Sequence, residues 1–151
     1  MRTPAVIKEL RTYSQDDMGG SSTNIAMATG CTACVAMITK DEIICANSGD
    51  SRCVLARKGV AVEMSEDHKP DNAGERARIQ SAGGFVEEGR VKGVLSLSRA
   101  LGDLEYKMSS HLSEEKQMIT CVPEMRKQAR KDDDEFLVIA CDGIWDCLTS
   151  Q

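Results

Sequence analysis

Between Cys31 and Met64 short apolar runs alternate with polar punctuation, and the spacing predicts strands near 32–39, 42–47, 51–57 and 60–64. Thr39-Lys40-Asp41, Ser48-Gly49-Asp50 and Lys58-Gly59 separate them, as expected of a meander of antiparallel hairpins. The pattern then changes to a helix over about 72–82. Asn72 is a suitable N-cap, Glu75 stands where a capping box needs its acid, and Gly83 is a natural terminator. Phe85-Val86-Glu87 with Val91 predicts a small hairpin, and residues 97–118 read as irregular with a helical turn at 98–102. Two more strands, near 118–122 and 135–141, flank a connection in which Arg126, Lys127, Arg130 and Lys131 run into Asp132-Asp133-Asp134-Glu135. That charge block reads as a solvated turn. Towards the N-terminus, Val6, Ile7 and Leu10 have the spacing of a short amphipathic helix over 1–13, and 14–24 is a polar, Gly/Ser-rich loop. Many strands with few helices predict an α+β chain of stacked antiparallel sheets rather than a doubly wound parallel sheet.

The apolar pattern also positions acidic residues. Phe136-Leu137-Val138-Ile139-Ala140 carries no charge and predicts a strand buried on both faces. Asp142 would leave its end on a rigid support, and Gly143 lets the backbone bend away. If a helix begins there, Asp146, four residues on, comes to the same side. Two neighbouring carboxylates repel unless they share a proton or a cation, so an oxygen-loving ion such as Mg²⁺ or Mn²⁺ is a natural partner. On this segment alone, a surface turn rich in Asp is the competing reading. Asp50 follows Gly49 in a tight turn, and by itself reads as a turn Asp bonded to its own backbone. Gly84-Phe85-Val86-Glu87-Glu88-Gly89-Arg90-Val91 nearly has P-loop spacing, but it lacks the Lys-Ser/Thr pair and its glutamates would repel a phosphate.

Composition narrows the classes of function. At 151 residues the chain suits one domain, and its net charge of −5 argues against nucleic acid or an anionic membrane as partner. Its few aromatic residues could not form a base-stacking platform. The N-terminus lacks the apolar core of a signal peptide, so the expected location is cytoplasmic or nuclear. Seven cysteines are an odd number without a secretory signal and read as reduced thiols. Cys31-Thr32-Ala33-Cys34 has the spacing of a redox or zinc motif. It lies on a predicted strand where residues three apart face opposite ways, and no second close ligand pair accompanies it. Packing roles are therefore expected of the cysteines, Cys141 among them.

Several motifs together carry a resemblance. Gly30-Cys31-Thr32-Ala33, Ala46-Asn47-Ser48-Gly49-Asp50-Ser51-Arg52, Asp67-His68-Lys69-Pro70, Glu75-Arg76 through Ile79 to Gly83-Gly84, Leu95 to Asp103, Pro123-Glu124 and Ala140-Cys141-Asp142-Gly143-Ile144-Trp145-Asp146 occur in one order. In wording and order they resemble the metal-dependent protein serine/threonine phosphatases, the PPM or PP2C family, from Gly30 to Asp146. The resemblance implies two stacked antiparallel sheets flanked by helices, incomplete here at both ends, with residues 1–29 preceding a partial phosphatase domain at 30–151. It also implies a flap at about 66–93, two core Mg²⁺ or Mn²⁺ ions with a possible third, and hydrolysis of phosphoserine and phosphothreonine proteins by a metal-activated water. Asp142 would hold a core metal, and Asp50, Asp142 and Asp146 would border the additional position. The family's Asp-Gly-His-Gly-Gly and Asp-Asn-Met-Thr motifs and its phosphate-binding Arg are not found, so no catalytic residue is assigned within this chain. Arg99 could clamp a substrate phosphate or a structural carboxylate, with Asp103 one candidate. His68 is expected to fix the turn before Pro70, and His111 to be exposed. The expected protein is a monomer; a non-catalytic relative that binds phosphoproteins is the alternative.

Overall fold

A computed structural model describes residues 27–151; the helix and loop expected at 1–13 and 14–24 lie outside the described residues. The strands are β1 (Gly30–Cys31), β2 (Ala33–Ile38), β3 (Glu42–Ser48), β4 (Arg52–Arg57), β5 (Val60–Glu63), β6 (Val86–Glu87), β7 (Arg90–Val91), β8 (Leu101–Gly102), β9 (Glu124–Ala129) and β10 (Asp134–Ala140). Helix α1 spans Ala73–Ser81 and the single turn α2 spans Asp142–Trp145. Two three-stranded antiparallel sheets dominate, with orders β2-β3-β9 and β10-β4-β5, and β1-β8 and β6-β7 form two small ribbons. This is the α+β class and stacked antiparallel arrangement expected from the pattern.

Alternation explains how the large sheets meet. Ile43 and Cys45 on β3 share one buried cluster with Cys53 and Leu55 on β4 and with Met64. Side chains two apart lie on one face of a strand, so each sheet turns a continuous apolar face inward. Fully burying a side chain such as Leu55 contributes about 1.5–3 kcal/mol. This packing corrects the simple meander. Ser48-Gly49-Asp50 does not close a hairpin: β3 pairs with β2 and β9, whereas β4 pairs with β5 and β10. The turn carries the chain from one sheet to the other, because β3 and β4 bury their apolar sides against each other. A second cluster, Ile79, Val91, Ala100, Tyr106, Met118 and Ile119, seats α1 and the β6-β7 ribbon.

Other expectations change for identifiable reasons. Residues 98–102 form no helical turn; Leu101 and Gly102 pair with Cys31 and Gly30 instead. The strand expected at 118–122 is reduced to one parallel bridge between Arg99 and Thr120, and the charged connection contains strand β9. Glu124–Ala129 has little intrinsic strand character, and pairing with β3 from Asn47 to Glu42 makes it one. Finally, β10 is not buried on both faces. Among the described residues it is the edge of its sheet, with Phe136 61% exposed and Val138 and Ile139 also open.

Candidate functional site

The crossover after β3 is held from several directions. Gly49 has φ of +121°, and a Cβ there would lie 2.4 Å from Thr32 Cγ2, so both its conformation and its space require glycine. Its amide donates to His68 Nδ1 at 3.2 Å, and its carbonyl accepts from the His68 amide at 3.0 Å. Asn47 Nδ2 donates to the same carbonyl at 3.0 Å and to Glu66 O at 2.9 Å. The next carboxylate, Asp50, is only 7% exposed and accepts from Lys69 Nζ at 2.5 Å. Two residues on, Arg52 makes a bidentate pair with Asp67 at 2.9 Å per bond, the geometry that suits a planar guanidinium. Its guanidinium also lies 5.2 Å from the centre of the Trp145 ring. Trp145 Nε1 in turn donates to Ala140 O at 2.8 Å. Segments around Asp50, Asp67 and Trp145, remote in sequence, thus meet in one place.

Charge concentrates there. Burial opposes the ammonium of Lys69, but the hydrogen bond to Asp50 and the charges of Asp50, Asp146 and Asp67 outweigh it and raise its pKa. The charges of Asp50 and Asp146 thus both act on the Lys69 ammonium. Asp142 is exposed at the start of α2, with its carbonyl accepting the Asp146 amide. Among the described residues no three acidic, histidine or cysteine side chains form a ready cage for a metal. The donor type nevertheless fits a hard divalent cation: a nearly buried carboxylate, that of Asp50, already holds a positive charge, the Lys69 ammonium. His68 is buried, and desolvation followed by the nearby charge of Arg99 pushes its pKa down, so it is neutral near pH 7. It braces the turn.

A second polar assembly supports the first. Glu75 does not close a capping box; its carboxylate, 8% exposed, turns inward. Arg99 Nη2 donates to Glu75 Oε1 at 2.7 Å, Arg78 Nη1 to Oε2 at 2.7 Å, and Ser98 Oγ to Oε2 at 2.6 Å. Burial alone would raise the pKa of this acid, but the bonds from Arg99, Ser98 and Arg78 bring it down to about 2. Arg99 also donates to Val122 O at 3.0 Å, so its fork is engaged by Glu75 and a carbonyl rather than by Asp103. The Ser98 amide donates to His68 O at 3.1 Å, and its Oγ lies 2.9 Å from the same carbonyl, which ties this cluster to the residue bracing Gly49.

The sequence profile described as PP2C, protein phosphatase 2C, matches residues 4–151. The chain belongs to the protein phosphatase 2C family. It is 59% identical over 123 residues to "Protein phosphatase 2C homolog 2" of Aspergillus fumigatus, covering 82% of this chain and 29% of that protein. It is 54% identical over 123 residues to "Probable protein phosphatase 2C 21" of Arabidopsis thaliana, covering 82% and 35%. The solved structure of a phosphatase from a pathogenic strain of Toxoplasma gondii superimposes with a TM-score of 0.66 at 41% identity, over 70% of this chain and 33% of that one. The chain thus spans about a third of the length of the curated relatives it matches.

Within this protein phosphatase 2C fold, the roles of Lys69 and of the Arg52–Asp67 pair, and the inward pairing of Glu75, are not foreseen in the sequence. Lys69 and Asp67 flank His68 in the Asp-His-Lys-Pro motif, and no local pattern links them to Asp50 or Arg52. The cysteines divide. Cys45 and Cys53 are buried, whereas Cys31, Cys141 and Cys147 are exposed, which removes the packing role expected of Cys141 at the end of an edge strand. Cys34 Sγ lies 3.8 Å from Cys45 Sγ. Its hydrogen bond with Cys53, followed by burial, raises the Cys34 pKa, and burial raises that of Cys45 to about 11. Both are therefore thiols near neutrality. His111 is exposed. The sequence resembling a P-loop is the β6-β7 ribbon, turned at Glu88-Gly89, both with positive φ.

Proposed function

We propose that this chain is part of the catalytic domain of a metal-dependent protein serine/threonine phosphatase. The observation that carries the reading is the nearly buried Asp50 carboxylate, paired at 2.5 Å with Lys69 on an ammonium that also feels Asp146. Asp50 and Asp146, with Asp142 one helical turn away, are the groups proposed to hold Mg²⁺ or Mn²⁺. Divalent cations held there would supply an activated water and charge neutralisation for phosphate-ester hydrolysis. The chain's own contribution is to fix the Asp50 turn through Gly49, Asn47 and His68. Arg99 is read as a structural clamp that holds the 96–100 segment to α1. Residues 66–93 form the flap beside the cleft, and residues 30–151 the phosphatase portion after an N-terminal segment at 1–29.

The substrates proposed are phosphoserine and phosphothreonine proteins, with a monomeric enzyme in the cytoplasm or nucleus and no role for nucleic acid. No helix among the described residues is long and apolar enough to cross a membrane. Retention of Asp50, Asp142 and Asp146 favours catalysis over a non-catalytic phosphoprotein binder, because repelling carboxylates serve little purpose without a cation. Calorimetric titration with Mn²⁺ tests the metal assignment: weak binding is expected, weakened further in Asp142→Ala, and equal binding by both proteins removes Asp142 from the site. Phosphopeptide hydrolysis tests the activity. The 151-residue chain is expected to turn over negligibly, because two-metal catalysis needs ligands and a phosphate-holding Arg that its motifs do not supply. Metal-dependent turnover by this chain, abolished in Asp142→Ala, would refute that expectation.

A further inference from the structure

Among the described residues Lys69 is the sole hydrogen-bond donor to the Asp50 carboxylate, and the pair is short at 2.5 Å. The two side chains differ in their freedom: that of Asp50 is 7% exposed, that of Lys69 39%. The backbone beneath Lys69 is anchored, since its amide donates to Asp67 O at 3.1 Å, its carbonyl accepts from the Asn72 amide at 3.1 Å, and Pro70 behind it is fully buried. The ammonium is therefore a compact charge on a flexible stem, pivoting from a fixed base with solvent at its side. A nearly buried carboxylate left without a counter-charge is costly, so the fold needs a cation at Asp50 whether or not a metal is there.

We infer that Lys69 is a built-in competitor for divalent cations: it neutralises Asp50 in the metal-free protein and must swing into solvent when a metal ion takes its place. This rests on Asp50 being a metal ligand, as proposed above. Lys69 then sets the affinity of that position, and because it opens the 66–93 segment, metal occupancy is coupled to the contacts of that segment. Removing a unit positive charge roughly 5 Å from a dication, with water-like screening, should tighten binding roughly tenfold.

The test is Mn²⁺ titration of the full chain, read from loss of the electron paramagnetic resonance signal of free aqueous Mn²⁺, with circular dichroism reporting folding. Lys69→Met should bind Mn²⁺ roughly tenfold more tightly than the wild type, Lys69→Arg about as the wild type, and Asp50→Asn more weakly. Equal or weaker binding by Lys69→Met, while Asp50→Asn loses affinity, would overturn the competitor role and leave Asp50 as a ligand. Unchanged binding in both Asp50→Asn and Lys69→Met would remove Asp50 from the metal site and the inference with it. Should Lys69→Met not fold, the wild type carries the test. Its lysines are reductively ¹³C-methylated, and the Lys69 resonance is identified by its absence in Lys69→Arg. That resonance should move towards the position of an exposed lysine as Mg²⁺ is added, and a resonance that stays fixed while Mg²⁺ binds would overturn the inference.

Discussion

Asp50 and Asp142 each follow a β-strand and each stand beside a glycine, yet the fold treats them in opposite ways. Asp50 leaves β3, a central strand, at a crossover where Gly49 is bonded to Asn47 and His68 and where Lys69 meets the carboxylate. Asp142 leaves β10, an edge strand among the described residues, into a single turn held by its own backbone bonds and by Trp145, while the Asp142 side chain itself is exposed and has no hydrogen-bond donor among those residues. What differs is how the surroundings grip each turn. The 66–69 segment holds the Asp50 turn at Glu66 O, His68 and Lys69, and the polar cluster of Glu75, Ser98 and Arg99 stands behind that segment through His68. A carboxylate gains rigidity from the elements packed around it, and an apolar strand beneath it is not enough if that strand is itself uncovered.

The largest effect expected from breaking the supported side comes from Glu75→Ala. It strips the carboxylate from Arg99 and Arg78 inside the fold, and should destabilise the chain by about 3–5 kcal/mol in urea unfolding. Close behind comes acid. Because Glu75 lies at about 2 in the folded chain against a usual 4.5, its contribution is complete above about pH 4.5 and is lost as pH falls towards 2. That difference corresponds to roughly 3 kcal/mol. A comparison of wild type with Glu75→Gln across that window should show a slope in the former that the latter lacks. Gly49→Ala should cost about 1–3 kcal/mol, because φ of +121° and the close Thr32 side chain both oppose a Cβ. On the other side, Phe136→Thr should change stability by no more than about 0.5 kcal/mol, since that ring is mostly exposed. A loss above 2 kcal/mol by the same urea measurement would mean that the outer face of β10 is covered, and the contrast between the two aspartates would collapse.

Much of the local structure was legible because it is written in local periodicity. The strands of 32–64, the helix that became α1 and the β6-β7 ribbon follow from alternation, from the terminator Gly83, and from the apolar positions Phe85, Val86 and Val91. β9 was not legible, since Arg126, Lys127 and Gln128 resemble a solvated turn until β3 supplies hydrogen-bond partners. Glu75 shows the same limit at the scale of one side chain. Three residues after Asn72 it has the position of a capping acid, but a capping bond is worth less than what two guanidinium groups and a hydroxyl offer from elsewhere in the chain. Its partnership with Arg99 bridges 24 residues and leaves no mark on either segment alone.

From the sequence by itself followed the family, the α+β class and the glycine that lets the chain turn before Asp50. These depend on residue identity and short spacing, which a linear reading preserves. Only the tertiary structure decided that Ser48-Gly49-Asp50 links two sheets, that Arg99 grips Glu75 rather than Asp103, and that β10 is an open edge. It also decided that Asp50 is met by Lys69. Each of these is a choice among partners distant in the chain. Such choices are settled by which apolar faces bury each other, because burial brings the polar groups within reach before their charges can select among alternatives.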